Sequence, residues 1–155
     1  STLVIRRSLF TGNPDGGADL AGTVTLENSV MIGNGGGGSA FGGARLRSAA
    51  TFRFNTVVDN FGATGVLCDV ATAVSSSILF GNSGPEASAN CAVGTSHVEG
   101  AGGAADPLFL ADGYHLGTGS PVIDQASLVG CPVEDFDGQA RPMGAACERG
   151  ADERP

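Results

Sequence analysis

Ser8-Leu9-Phe10-Thr11-Gly12-Asn13 returns three times in the first half of the chain: as Ser29-Val30-Met31-Ile32-Gly33-Asn34, as Asn55-Thr56-Val57-Val58-Asp59-Asn60, and as Ser77-Ile78-Leu79-Phe80-Gly81-Asn82. Each phrase runs from a small polar residue through an apolar run to Gly-Asn or Asp-Asn. The closing asparagines are 21, 26 and 22 residues apart. Such a period, with β-branched residues and asparagine turns, is the signature of a parallel β-solenoid in which each repeat is one coil. Gly, Asp and Asn tolerate the left-handed backbone of a sharp corner, and stacked asparagines can hydrogen-bond from coil to coil.

A second series interleaves with the first. Leu20, Leu46 and Leu67 precede Leu26, Phe52 and Val74 by six, six and seven positions. Short apolar clusters separated by Gly, Ala, Ser or Thr suit strands broken by tight turns. Stacking the coils predicts two buried columns, Leu20–Leu46–Leu67 and Ile5–Leu26–Phe52–Val74.

The chain has 155 residues, 26 of them glycine, with 6% aromatics and no tryptophan. That composition and the missing 3.6-residue period argue against a helical bundle and predict an all-β fold. No apolar run approaches the ~20 residues that span a bilayer as a helix. The absence of an initiator methionine and of a basic-then-apolar leader predicts a processed chain or a piece of a longer one. All eight basic residues are arginines, so lysine nucleophiles, lysine bases and Lys-Asn cross-links are excluded. Residues 1–80 carry five acids and five arginines, and residues 81–155 carry eleven acids and three arginines. The net charge of −8 therefore lies wholly in the second half. An acidic surface repels phosphate backbones, which argues against a nucleic-acid partner.

Cys68, Cys91, Cys131 and Cys147 lack the close pairing of a zinc site. Cys68 and Cys91 follow Asn60 and Asn82 by eight and nine residues, which predicts nearly equivalent places on successive coils. Neighbouring strands lie ~4.8 Å apart, within the ~4.4–6.8 Å Cα separation of a disulfide. A Cys68–Cys91 staple between coils is therefore expected, with Cys131 and Cys147 clipping the tail into a loop. Disulfides predict an extracellular or cell-surface location.

After Asn82 the repeat weakens. Asp106-Pro107-Leu108-Phe109, Tyr114-His115-Leu116, Gly119-Ser120-Pro121-Val122-Ile123-Asp124, Asp135-Phe136-Asp137-Gly138-Gln139-Ala140-Arg141-Pro142 and Glu148-Arg149-Gly150-Ala151-Asp152-Glu153 follow in order. This ordered set resembles the C-terminal region of bacterial surface proteins with right-handed parallel β-helix repeats, the choice-of-anchor Q domain proteins. The last motif departs from their D-I-G-A-[YF]-E ending by losing an apolar and an aromatic residue. The resemblance implies a right-handed parallel β-helix, about four to five coils over residues 1–105, followed by a C-terminal capping and extension segment over 106–155. It also implies an exported, envelope-associated or extracellular protein, and no particular reaction.

Parallel β-helices also carry polysaccharide lyases and hydrolases, so their chemistry is the one to test. A lyase needs a base for the proton beside a uronate carboxylate and acids to hold calcium. Arg53, Asp59 and Asp69 are the one conceivable set, and the expectation is that they solvate outer faces. A hydrolase needs paired carboxylates in one cleft, and the acids of residues 1–80 are scattered. His97 and His115 have no serine or cysteine at a catalytic spacing. Asp135 and Asp137 are similar to the start of a calcium loop, but the later ligands are missing. Gly33 to Gly38 matches a phosphate-loop pattern in letters only, with no helix pattern after it, and is expected to be an insertion in the second coil. No catalytic residue and no cofactor is assigned.

Leu3, Val4 and Ile5 already lie within a coil and form a candidate assembly edge, because an uncovered strand invites pairing with another chain. The leading expectation is an extracellular structural β-solenoid that stacks head to tail on itself into a surface filament. The alternatives are a polysaccharide-active or carbohydrate-binding β-helix, and a stalk or adhesin fragment whose partner is the upstream part of a longer β-helix.

Overall fold

The computed structural model describes residues 2–102 and 104–154. Among these residues every regular element is a strand, and the strands wind into a parallel β-solenoid of about four turns. The first coil comprises β1 (Thr2–Arg6), β2 (Leu9–Thr11) and β3 (Ala18–Leu20). The second comprises β4 (Thr23–Glu27), β5 (Val30–Ile32) and β6 (Ala44–Leu46), and the third β7 (Thr51–Arg53), β8 (Thr56–Val58) and β9 (Val66–Cys68). In the fourth, β10 (Thr72–Ser75) and β11 (Ile78–Phe80) are followed by a single bridging residue, Ala87 beside Val66. Two short strands, β12 (Cys91–Ala92) and β13 (His97–Val98), begin a fifth turn. Equivalent strands pair in parallel to give three sheets, β1-β4-β7-β10-β12, β2-β5-β8-β11-β13 and β3-β6-β9.

Each coil turns its first corner on one residue with a left-handed backbone: Arg7, Asn28, Phe54 and Ser76, all with φ near +50°. The next residue, Ser8, Ser29, Asn55 or Ser77, opens the repeated phrase. Its backbone N–H donates to the side-chain oxygen of its counterpart one coil on: Ser8 to Ser29 at 3.2 Å, Ser29 to Asn55 at 3.0 Å, Asn55 to Ser77 at 3.1 Å. The second corner repeats the device. Gly12, Gly33, Asp59 and Gly81 take positive φ, and the asparagine that follows points inward.

These asparagines form a continuous ladder. Nδ2 of Asn13, Asn34 and Asn60 donates to Oδ1 of Asn34, Asn60 and Asn82 at 2.8, 3.0 and 2.8 Å. The same oxygens accept the backbone N–H of the preceding asparagine at 3.2, 3.0 and 3.1 Å. Second bonds run from Nδ2 to the carbonyls of Phe10, Met31 and Val57. Corner N–H and C=O groups that would be buried without partners are thereby satisfied by side chains.

The ladder needs room, and glycine supplies it. A Cβ on Gly17 would come within 2.4 Å of the Gly43 oxygen and 3.1 Å of Asn34 Nδ2, and one on Gly65 within 3.0 Å of the Asn82 amide. The register Ala18–Ala44–Val66–Ala87 makes Gly17, Gly43, Gly65 and residue 86 equivalent. In the fourth coil the position is Glu86. Its carboxylate occupies the place a fifth asparagine would take: Oε1 accepts Asn82 N–H at 3.0 Å and Oε2 accepts Asn82 Nδ2–H.

Apolar side chains fill the space inside the three sheets. The column Ile5–Leu26–Phe52–Val74 is in register as expected. The leucine column is one residue out in the third coil. Leu46 pairs with Cys68, while Leu67 pairs with Arg45 and faces outward. Side chains alternate along a strand, so a one-residue slip exchanges the buried and exposed sets. Cys68 and Cys91 are disulfide-bonded with Cα atoms 5.4 Å apart. They are not on equivalent strands, because Cys91 pairs with Thr72 in the first sheet and Cys68 ends a strand of the third. The staple ties a corner of one coil to the next.

Residues 106–154 run back along the flank of the stack. Gly150 N–H donates to Ser76 O at 2.9 Å in the fourth coil, Ala151 N–H to Thr56 Oγ1 at 3.0 Å in the third, and Arg7 of the first coil contacts Glu134 at 3.0 Å. Leu116 and Val122 bury Ile78 on the outer face of the second sheet. The second disulfide, Cys131–Cys147, packs on Phe54 at the first corner.

Asn60→Ala is expected to lower the free energy of urea unfolding by about 3 kcal/mol, since several buried groups each lose a partner at about 1–3 kcal/mol apiece. Asn13→Ala, at the exposed end of the ladder, is expected to cost about 1 kcal/mol or less by the same reasoning.

Candidate functional site

The residues weighed for lyase chemistry stand on three different faces. Arg53, on β7, pairs with Glu27 at 2.8 Å and donates to Gly130 O at 3.0 Å. Asp59 forms the corner after β8, and Asp69, beyond β9, is held by Arg45 at 2.9 Å. They do not converge. His97 is buried, with Nε2 2.7 Å from Ala105 O. Leu3 and Val4 are exposed on β1, the outer strand of its sheet, while Ile5 packs on the core.

Among the described residues, two concave regions are formed with the C-terminal segment. The larger, about 470 Å³, lies between the first sheet and residues 131–134 and is lined by Arg6, Arg7 and Arg53. Glu27 pairs with both Arg6 and Arg53, and Glu134 pairs with Arg7. Burial opposes the charge of Glu27, but hydrogen bonds from the two arginines hold its carboxyl below the usual range. The arginines of this cleft are thus largely neutralised within the fold.

The smaller, about 200 Å³, gathers His115, Asp137 and Asp152. Each comes from a separate turn of the flanking segment, and the arrangement starts from backbone bonds. Asp112 Oδ1 accepts the N–H groups of Tyr114 and His115 at 3.1 and 3.0 Å, an Asx-type turn that leaves Oδ2 2.6 Å from His115 Nδ1. The other ring nitrogen, Nε2, lies 2.6 Å from Asp137 Oδ2. Asp137 is presented by the Asp135 turn, in which Asp135 Oδ1 accepts the N–H of Asp137 and Gln139 at 2.9 and 2.7 Å and Oδ2 accepts Glu153 N–H at 3.0 Å. Asp135 is fully buried, and both its oxygens are engaged by these amides. Asp152 Oδ2 accepts Leu116 N–H at 2.7 Å.

Burial works against a charged His115, yet the hydrogen bonds to Asp112 and Asp137 outweigh it and raise its pKa. Asp112 is likewise pulled below its usual range by His115 and two backbone N–H groups, against the effect of burial. Burial pushes Asp152 up to about 6, partly offset by its bond from Leu116.

Beneath this cluster lies Arg141, whose side chain is fully buried. Nη2 donates to Gly150 O at 2.9 Å and Asp152 O at 2.7 Å, Nη1 donates to Asn28 Oδ1 at 3.2 Å, and the guanidinium lies 5.1 Å from the centre of the Phe54 ring. Nε meets Glu153 at 3.1 Å. Glu148 is buried beside Glu153. Burial, and then the neighbouring carboxyl, push it up to about 8, so it holds its proton at neutral pH. Arg141 thus anchors the last residues of the chain to the first corner of the second coil. The meeting of His115 with Asp137 and Asp152, at separations of 22 and 37 residues, has no periodic signal in sequence.

Comparison with protein-family models, with curated proteins and with solved structures gives no match.

Proposed function

We propose that this chain is a structural β-solenoid module of an exported cell-surface protein, and that it forms the finishing end of a stack of coils. The observation that carries this reading is the Asn13–Asn34–Asn60–Asn82 ladder, which is open at one end and closed at the other. At the first coil, β1 presents a full five-residue edge, and among the described residues Asn13 Oδ1 accepts no hydrogen bond. A further coil docking there brings donors to Asn13, as Asn13 brings them to Asn34. At the other end β12 and β13 are two residues each, and Glu86 fills the space of a fifth asparagine.

Head-to-tail stacking of identical chains would bring the Glu86 end onto β1. That end has no ladder amide to offer, because the backbone N–H and one Nδ2–H of Asn82 are used by Glu86 and the other Nδ2–H by Val57 O. The contact therefore favours a different coil over a second copy, and a stalk over a self-propagating filament. Two disulfides and the ordered motifs from Asp106 to Glu153 support an exported protein of the choice-of-anchor Q kind.

Negative-stain imaging with light scattering at high protein concentration tests this reading. Single particles or edge-to-edge pairs are expected, and long filaments would overturn it. A second expectation concerns Glu86. Burial, with the neighbouring Glu99, raises its pKa to about 7 against the bonds from Asn82 that lower it. A carboxyl raised on folding contributes its stability below its unfolded pKa of 4.5 and loses it as pH rises toward 7. Urea titrations should show native stability falling relative to Glu86→Gln across that window, and a difference independent of pH would contradict it.

A further inference from the structure

We infer that His115, Asp137 and Asp152 form a binding site for one divalent transition-metal ion of the Zn²⁺ class, with Asp112 fixing the orientation of the imidazole. One ligand atom from each of the three residues lies within 4.8 Å of the other two. A cation ~2.0–2.2 Å from each ligand needs those atoms ~3.2–4.3 Å apart, so only small movements are required.

The ring is already aimed. Asp112 is held by two backbone N–H groups and faces Nδ1 at 2.6 Å, so a neutral ring places its proton on Nδ1 and leaves Nε2 directed into the cavity. This is the arrangement that orients metal-binding histidines generally. Nε2 and Asp137 Oδ2, 2.6 Å apart, are both electron-rich when the imidazole is neutral, and they require a positive species between them. A proton satisfies the two atoms alone, whereas a metal ion also satisfies a third.

That third group is Asp152, only 6% exposed. One of its oxygens accepts Leu116 N–H, and among the described residues the other accepts no hydrogen bond. That second oxygen is not sealed in the interior but reaches the cavity, where it is open to an entering ion. Two further charges line the cavity, and the positive charge of Arg154 works against a bound cation. Arg154 is occupied with Leu116 O and Thr118 Oγ1 at 2.7 Å each, and Glu153 belongs to Arg141. Asp137 is on the exposed side and free to open its contact with His115 as an ion enters.

The donor set decides the metal. Calcium takes six to eight oxygens, and an imidazole with two carboxylates is too few and too soft for it. One nitrogen and two oxygens in a half-open pocket suit zinc, with cobalt as its spectroscopic substitute. The ion would link three turns of the flanking segment, those at 112–116, 135–139 and 152–154, and so fasten that segment to itself.

The test uses the purified, chelator-treated protein. Titration with ZnCl₂ by calorimetry is expected to show one equivalent bound, and CoCl₂ is expected to give visible absorption bands of a low-coordinate site. CaCl₂ at the same concentration should give neither. Asp137→Asn and His115→Gln should each weaken zinc binding at least tenfold, and Asp112→Asn should weaken it about 10–100-fold. Because the chain has two histidines, proton NMR of the unmutated protein is an independent readout: ZnCl₂ should shift the ring signals of His115 and leave those of His97 in place. Absence of saturable zinc binding by the folded protein would overturn the inference. So would wild-type affinity in both His115→Gln and Asp137→Asn, or zinc-induced shifts that spare His115.

Discussion

A coil that turns sharply within its own core buries peptide groups at every corner, and those groups must find partners. The asparagine ladder meets this constraint. The side chains of Asn34, Asn60 and Asn82 each accept two bonds from the coil before and donate to the next asparagine, to Glu86 or to nearby carbonyls, so one residue type at one position satisfies the corner of two neighbouring coils. Buried networks of this kind are stable only when complete. The requirement extends outward from the asparagines. It demands a left-handed residue just before each one, a residue without a side chain at Gly17, Gly43 and Gly65, and a proper termination where the stack stops.

Glu86 is that termination. A glutamate in the glycine column removes the space for another asparagine and at the same time supplies the two acceptors the last one needs. The cost is a carboxyl group taken out of water beside Glu99, which its raised pKa reflects. The ladder is therefore directional, each bond running from one coil to the next until Glu86 accepts the last. The flanking segment adds a second constraint, because Arg141 and the contacts of Gly150 and Ala151 join its last turn to the second, third and fourth coils.

Much of the solenoid was legible in the sequence because its stabilising interactions repeat. The Ser-to-Asn phrase marks both corners of each coil, and Ile5, Leu26, Phe52 and Val74 align by spacing alone. The reading failed where a local feature broke the period. Leu67 has the right residue type but the wrong parity, and Cys68 takes the buried place. Cys91 opens the fifth turn after a shortened fourth, 19 residues rather than 22 beyond its partner Thr72, so counting from the asparagines misplaced it. The cluster of His115, Asp137 and Asp152 was not legible, because it is made by turns of an irregular segment whose packing carries no period. The signal that was present, Glu86 standing where glycine recurs, becomes visible only once the register is known.

Native-state hydrogen exchange, followed by NMR on the backbone amides of Asn34, Asn60 and Asn82 and on their Nδ2 protons, tests the ladder most directly. If the ladder holds the stack together, these protons exchange only through global unfolding and share its denaturant dependence. Exchange of the Asn82 side chain as fast as an exposed loop would contradict closure by Glu86. Rapid exchange at all three asparagines would contradict the ladder as the basis of the fold.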